Sequence, residues 1–367
     1  MAEVFFTDMH AEFGNSLEDK MKRILKHADL ESFIGKGELV AIKVHVGERG
    51  NLGHMNPSLV RAVVEEVKKF GGKPYLTDTN TLYSGGRHNG VDHAITAVQH
   101  GFTYATVGAP FIPADGIRGM DYTEVDINAK HFDKVKLASN ILKADKIIFI
   151  SHFKGHIEAG FGGAIKNMSM GCASIAGKQE QHCDSKPVVK KENCVGCRQC
   201  YRACPVSAIT MEDGKAVIDY GVCIGCGQCV AACNYGAMDP SFDEDNPVFL
   251  EKISEYAYGV HKYFKDKAFY INLANNITPD CDCWPVNDIP IVEDVGFFGS
   301  YSPLAIERAT MDKVIKSRPN NTSEHASKIK NKENIFQEIR DHIKSDRTLD
   351  YCEELGMESD YTLKQLK

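Results

Sequence analysis

Apolar and polar positions along this chain switch repeatedly between a strand-like and a helix-like period. Val4-Phe5-Phe6 is a short apolar run, and Leu17 to His27 repeats apolar residues with helical spacing. Leu39 to Val46 predicts a buried strand. Asn56-Pro57-Ser58 then opens a helix running to Phe70. Pro57 sits in its first turn, where a missing N–H is tolerated, and Gly71-Gly72 lies past its end. Pro74 to Thr77 predicts a strand, Val91 to His100 a helix and Asp145 to Ser151 a strand. After residue 245 the pattern resumes: a helix over Val248 to Phe264, strands over Lys267 to Leu273 and Ile289 to Val292, and a helix over Pro303 to Ile315. Strands separated by helices predict an α/β fold with a mixed, partly parallel sheet. The charged tail from Asn320 to Lys367 predicts mostly solvated helix, with a docking arm as the alternative.

The interruption between residues 187 and 245 has a different character. Eight of the 13 cysteines fall there. Cys194, Cys197, Cys200 and Cys204 follow the spacing C-x2-C-x2-C-x3-C, and Cys223, Cys226, Cys229 and Cys233 repeat it 29 residues later. Three closely spaced thiolates wrap one face of a cubane. A fourth, three residues on, starts a helix that points away and ligates the other cluster. The expected sets are therefore Cys194, Cys197, Cys200 and Cys233 for one [4Fe–4S] cluster, and Cys223, Cys226, Cys229 and Cys204 for the other. Gly196, Gly225 and Gly227 let backbone amides approach the sulfurs. A pair of zinc knuckles is the alternative, but structural zinc uses two CxxC pairs separated by a longer spacer. The second motif ends in Cys233-Asn234, where the first has Cys204-Pro205. Pro187 to Met238 resembles the two-cluster bacterial ferredoxins, and short strands are expected near Ala208 to Thr210 and at Ala216 to Ile218. The resulting organisation is a first α/β part over residues 1–186 and an inserted small α+β ferredoxin-like domain over 187–245. The α/β fold is completed over 246–319, and the tail covers 320–367.

Composition narrows the class. The 367 residues are 43% hydrophobic and 25% charged, which fits an ordinary globular chain. Lysine plus arginine (43) against aspartate plus glutamate (50) gives −7, so no global field favours nucleic acid. The N-terminus carries no basic segment followed by an apolar one, and no apolar run approaches a membrane span. A cytoplasmic protein with clustered cysteines points to metal or redox chemistry rather than structural disulfides.

In open α/β sheets, polar residues at strand ends gather in the crevice beyond the carboxyl edge. The candidates for binding a cofactor or an anionic small molecule there are Lys43, His45, Asp78, Asn80, His152, Lys154, His156, Lys166 and Asn167. The last two lie in the glycine-rich stretch Gly160 to Cys172. Neither GxGxxG nor GxxxxGK[ST] occurs, so the sequence supports neither a Rossmann dinucleotide site nor a P-loop. The strings GHIEAGFGGAIKNMSMGCAS, NITPDCDC and EDVGFFGSYSPLAIE resemble the family catalogued as domain of unknown function 362. The resemblance covers most of residues 1 to 316 and implies an iron–sulfur protein of anaerobes and archaea. The family's Asp-Pro-hydrophobic-Ala-hydrophobic-Asp stretch here reads Ser302-Pro303-Leu304-Ala305-Ile306-Glu307.

Five cysteines remain: 172, 183, 281, 283 and 352. Cys172, Cys281 and Cys283, with His182, form a candidate third metal or cluster site; small buried hydrophobes are the alternative. The leading expectation is an iron–sulfur electron-transfer protein. Its two [4Fe–4S] clusters would pass electrons to a redox site in the α/β domain, making it an oxidoreductase or reductive activator with a redox partner protein and an additional metal or organic cofactor. An enclosed cleft holding Lys43, His156, Lys166 and Cys283 would favour that expectation. A flat surface would favour a non-enzymatic carrier that docks a partner. A metal or cluster assembly protein is the third class.

Overall fold

The computed structural model describes all residues except 183–185, 224, 241–245, 332 and 367. The fold is mixed α/β with a large, mostly parallel sheet. Its eight strands are β1 (Ala2–Asp8), β2 (Leu39–Lys43), β3 (Lys73–Asp78), β4 (Phe111–Pro113), β5 (Lys146–His152), β6 (Ala268–Ala274), β7 (Gly296–Ser300) and β8 (Tyr361–Gln365). Their order across the sheet is β8-β1-β7-β6-β5-β2-β3-β4. Strand β7 alone runs antiparallel to its neighbours β1 and β6.

Alternation along the central strands divides the interior in two. In β5, Ile147 and Phe149 enter one core, and Ile148 and Ile150 enter the other. In β6, Tyr270 joins the first, while Phe269, Ile271 and Leu273 join the second. Both faces of a largely parallel sheet are thus buried, as its crossover connections require. The second core is closed by α1 (Leu17–His27) and α2 (Pro57–Lys69). Ser16 caps α1 in a reciprocal box with Asp19, and the Asn56 side chain accepts the Ser58 N–H at 2.9 Å to start α2. The first core is closed by α3 (Ala164–Cys172), α4 (Asn246–Phe264) and α5 (Pro303–Val314).

Two expectations need correction. Ile289 to Val292 is not a strand of this sheet; Val292 makes only an isolated bridge to Pro319. Pro290 has no N–H to donate to a ladder. The strand that fills this part of the sheet is β7, a few residues on. It carries Gly299 where α1 packs: a Cβ there would stand 2.3 Å from Ile24 Cγ2. The tail is also not a solvated helix. Its strand β8 pairs parallel to β1, from Ala2 opposite Tyr361 to Phe6 opposite Gln365. Its helix Asp346–Glu354 buries Leu349, Tyr351 and Cys352. Cys352 is therefore a small core residue.

The cysteine-rich segment makes its own short pairs. Ile209–Glu212 pairs with Lys215–Ile218, close to the expected positions, and Val188–Val189 pairs with Met238–Asp239.

Strand β8 covers the free edge of β1, and exposed edges template association. Removing residues 359–367 should leave helical circular dichroism near wild type but produce concentration-dependent association, read by light scattering.

Candidate functional site

The carboxyl ends of β6, β5, β2 and β3 stand side by side because these strands are consecutive in the sheet and parallel. The loops leaving that edge line a partly open cavity of about 790 Å³. This is the crevice that topology places beyond a parallel sheet.

The floor of the cavity is a buried charge network. Lys43, 0% exposed, donates from Nζ to Asp78 Oδ1 (2.7 Å), Asn167 Oδ1 (2.7 Å) and the Val44 carbonyl (2.9 Å). The other Asp78 oxygen faces Arg87 and His93, each at 3.6 Å. Burial alone would raise the Asp78 carboxyl, but the Lys43 ammonium and His93 override it and hold the group well below 3.8. Arg87 donates to Glu48 Oε2 (3.2 Å) and to the Tyr83 hydroxyl (2.6 Å), and its Nη1 lies 3.1 Å from His45 Nε2. Burial and the Arg87 charge hold His45 well below 6.5.

One wall is built around Asp282, in the loop after β6. Its Oδ1 accepts from Lys154 Nζ at 2.5 Å, and its Oδ2 lies 2.8 Å from His152 Nδ1. Its carbonyl accepts the Glu48 N–H at 2.7 Å. Burial opposes ionisation of Asp282, but Lys154 and His152 win and keep the carboxyl far below its ordinary value. The fixed aspartate presents Cys281 and Cys283 to the cavity, where they are joined as a disulfide. His156 Nε2 lies 3.8 Å from Cys283 Sγ. Its Nδ1 accepts the backbone N–H groups of Glu158 (3.1 Å) and Ala159 (3.0 Å).

Helix α3 supplies another wall. Asn167 is held by Lys43 and by its own amide, which donates to the Ile150 carbonyl and Ser151 Oγ. The Lys166 ammonium also lines the cavity, and among the described residues it makes no hydrogen bond or ion pair. Burial draws its pKa down to about 8, against the more distant charge of Glu158. Lys178 is likewise drawn down to about 8 by burial, but its Nζ donates to Thr79 Oγ1 and the Ala173 carbonyl, both at 2.6 Å.

Of the residues selected from sequence, His45, Asp78, His152, Lys154, His156, Lys166 and Asn167 line the cavity, and Lys43 lies directly beneath it. Asn80 does not line it. Its backbone and side-chain amides donate to Asp115, so it fixes a turn. The four-residue metal set does not assemble. Cys172 is buried in the first core, with its thiol against the Asn167 carbonyl. His182 lines the cavity but stacks on Phe249. Instead, His156 joins Cys281 and Cys283, their ligand atoms lying within 4.8 Å of one another. Cys183 lies outside the described residues. Ser302 caps α5, accepting the Ala305 N–H, and does not line the cavity. Sequence reasoning missed Arg87, Tyr83 and Lys178. Arg87 had one local signal, the Gly85-Gly86 turn just before it.

Most of the motif cysteines lie outside this cavity, in an apolar lobe packed with Leu82 and Ile175. Cys204, Cys223, Cys226 and Cys229 line one small void of about 20 Å³. Cys200 has Cys233, Cys197 and Cys194 as its charge neighbours, while Cys226 has Cys204 and Cys223. Backbone amides aim at three of the sulfurs: Ala216 at Cys194 (3.5 Å), Ala208 at Cys204 (3.2 Å) and Ala237 at Cys233 (3.3 Å). Gly196 and Gly225, at equivalent places in the repeat, share a left-handed φ of +70°. Thiolate sets of this kind can bind metal. Leu82 packs in the apolar cluster of this lobe and also lines the large cavity.

A family profile described as domain of unknown function (DUF362) matches residues 40–312. No curated protein matches the sequence. Among solved structures, the lactate racemase apoprotein from Thermoanaerobacterium thermosaccharolyticum is 14% identical with a TM-score of 0.44, over 85% of this chain and 58% of that one. A protein from Thermotoga maritima is 14% identical with a TM-score of 0.37, over 81% and 58%. The chain thus spans 58% of the length of either.

Asp282 tests the wall. Asp282→Asn leaves Lys154 buried without its counter-charge and should cost about 3–5 kcal/mol in urea unfolding at neutral pH. Because the folded carboxyl lies below its unfolded value of 3.8, the wild-type advantage is fully present above that value. It should shrink as pH falls below it.

Proposed function

We propose that this chain, which belongs to the DUF362 family, is an iron–sulfur electron-transfer protein whose two [4Fe–4S] clusters serve a redox site in the α/β domain. The observation that carries the reading is the grouping of the motif cysteines. Four line one void, and Cys200 has two members of its own triplet and Cys233 from the other motif among its neighbours, with Cys229 of the second set also near it. That grouping supports the crossed sets expected from the spacing, Cys194, Cys197, Cys200 and Cys233 against Cys204, Cys223, Cys226 and Cys229. The amides aimed at sulfur favour thiolates carrying negative charge, which is what cluster ligation requires. When bound, such clusters supply one electron at a time. On this reading residues 187–245 form an inserted ferredoxin-like domain.

Several features favour an enzyme over a plain carrier. The cavity is a deep, partly open cleft rather than a flat surface, and His156, Lys166 and Cys283 converge on it, with Lys43 just beneath through Asp78 and Asn167. Lys166 is suited to an anionic ligand, because its ammonium has no ion pair among the described residues. Leu82 gives the lobe and the cavity a shared wall. A cytoplasmic setting and a separate redox partner protein complete the proposal.

Anaerobically purified protein should contain about eight irons per chain and give a paramagnetic signal on reduction. Iron near two per chain, or zinc alone, overturns the reading. Cys204→Ser should deplete the cluster of the second triplet more than that of the first. Loss confined to the first triplet's cluster refutes the crossed sets.

Anion binding should follow the Lys166 charge. Sulfate affinity, measured calorimetrically, should fall as pH rises through about 8, because the ammonium that attracts the anion is then lost. Lys166→Met should flatten that dependence.

A further inference from the structure

The geometry points to a second redox centre that contains no metal: the Cys281–Cys283 pair is a reversible dithiol–disulfide site facing the large cavity, serviced by a small dithiol. The inference goes beyond the reading above, and its chemistry stands without iron.

Three observations carry it. The first is that the pair staples almost nothing. The two cysteines are two positions apart, and cross-link stabilisation grows with the length of chain enclosed. The loop is already fixed by Asp282 through Lys154, His152 and the Glu48 amide. The second is that both sulfurs face hydrogen-bond donors. Cys281 Sγ accepts the Cys283 N–H at 3.2 Å. Cys283 Sγ lies 3.8 Å from His156 Nε2. Because His156 Nδ1 accepts two backbone N–H groups, the ring proton of the neutral imidazole resides on Nε2 and points at that sulfur. The third is access, since both half-buried cysteines line the cavity.

The same tautomer argues against reading the trio as a metal site. A metal on Nε2 needs the lone pair that this arrangement replaces with a proton, and the proton moved to Nδ1 would meet two N–H donors.

The chemistry balances as thiol–disulfide exchange. One thiolate of the dithiol attacks Cys281 Sγ. A mixed disulfide forms, the Cys281–Cys283 bond breaks, and the electron pair leaves on Cys283 Sγ, opposite His156 Nε2–H. The second thiol of the reagent then attacks its own mixed-disulfide sulfur and releases Cys281. The reagent departs as a cyclic disulfide, oxidised by two electrons, and its two protons end on Cys281 and Cys283. Attack rates depend on how well the leaving sulfur is stabilised, so His156 is a positioning residue for Cys283.

The test is alkylation of the folded full-length protein followed by mass spectrometry of the peptide holding both cysteines, with dithiothreitol as the dithiol. Air-exposed protein should give an unalkylated peptide lighter by two hydrogens. Dithiothreitol should open it without denaturant to a doubly alkylated peptide, and reoxidation should restore the first form. His156→Phe should slow opening about tenfold, the size expected when a hydrogen bond to an ionic group is lost, while His156→Gln, which keeps an N–H donor, should recover part of the rate. The proposal is overturned if the peptide is doubly alkylated before any reductant is added, or if it opens only in denaturant. It is also overturned if a metal ion beyond those of the motif cysteines is released when this pair is alkylated. Iron measured on the same samples reports separately on the cluster reading. A reversible pair in iron-free protein would sink that reading and leave this one standing.

Discussion

The ion pair between Lys43 and Asp78 is the constraint on which the site rests. Two charges removed from water cost several kcal/mol each, and their attraction repays that only with good geometry and further hydrogen bonds. Here the geometry comes from the sheet. Strands β2 and β3 are neighbours in parallel register, with Lys43 opposite Thr77, so the two side chains meet at 2.7 Å where both strands end. Asn167 and the Val44 carbonyl take up the remaining ammonium protons. The pair therefore ties two strand ends to helix α3: a shift of either strand would leave a charge buried alone, and a shift of the helix would leave an ammonium proton without its acceptor.

A second buried carboxylate repeats the device on the next strands. Asp282 reaches from the loop after β6 to Lys154 and His152, which follow and end β5. The cavity is thereby framed by charges that largely cancel in pairs: Lys43 with Asp78, Lys154 with Asp282, Arg87 with Glu48. Such groups are poor ligands for a substrate, because binding would have to break a pair already optimised in a low-dielectric setting. They are good scaffolding, since they rigidify the loops that present other groups. What they present are Lys166, whose ammonium stands unpaired among the described residues, and the sulfur pair with His156.

This division explains what the sequence made legible. Helix and strand patterns fixed β2, β3, β5, α1, α2 and α5 to within a few residues, because each has a short apolar run or a clear cap. They failed at β7, whose glycines accommodate packing instead of displaying an apolar pattern, and at β8, whose polar residues form an edge strand with β1. The crevice residues were legible because parallel topology carries the ends of successive strands to one rim. Roles within the crevice were not. Nothing in the local sequence distinguishes Lys43, locked under Asp78, from Lys166, left open, and Asn80 shows the same polarity as its neighbours while facing Asp115. Arg87 was missed because its partners Glu48 and His45, which place it at the cavity, are 39 and 42 residues away. Cys172 was misassigned for a related reason: its proximity to the glycine-rich segment is one of chain position, and its side chain is turned into the core.

The cysteine lobe and the cavity depend on opposite uses of the backbone. Around the motif cysteines, left-handed turns at Gly196 and Gly225 and amides aimed at sulfur make the main chain a shell around the thiols. Such a shell can be encoded in a few dozen residues, which is why its spacing is so plain in the sequence. At the cavity the main chain is ordinary strand and helix, and the chemistry comes from side chains contributed by segments from Lys43 to Cys283. That site exists only when the whole sheet is closed, with residues on both sides of the lobe in place. The lobe and the cavity are adjacent through shared packing, and Leu82 marks where they meet. That side chain belongs to the wall of both.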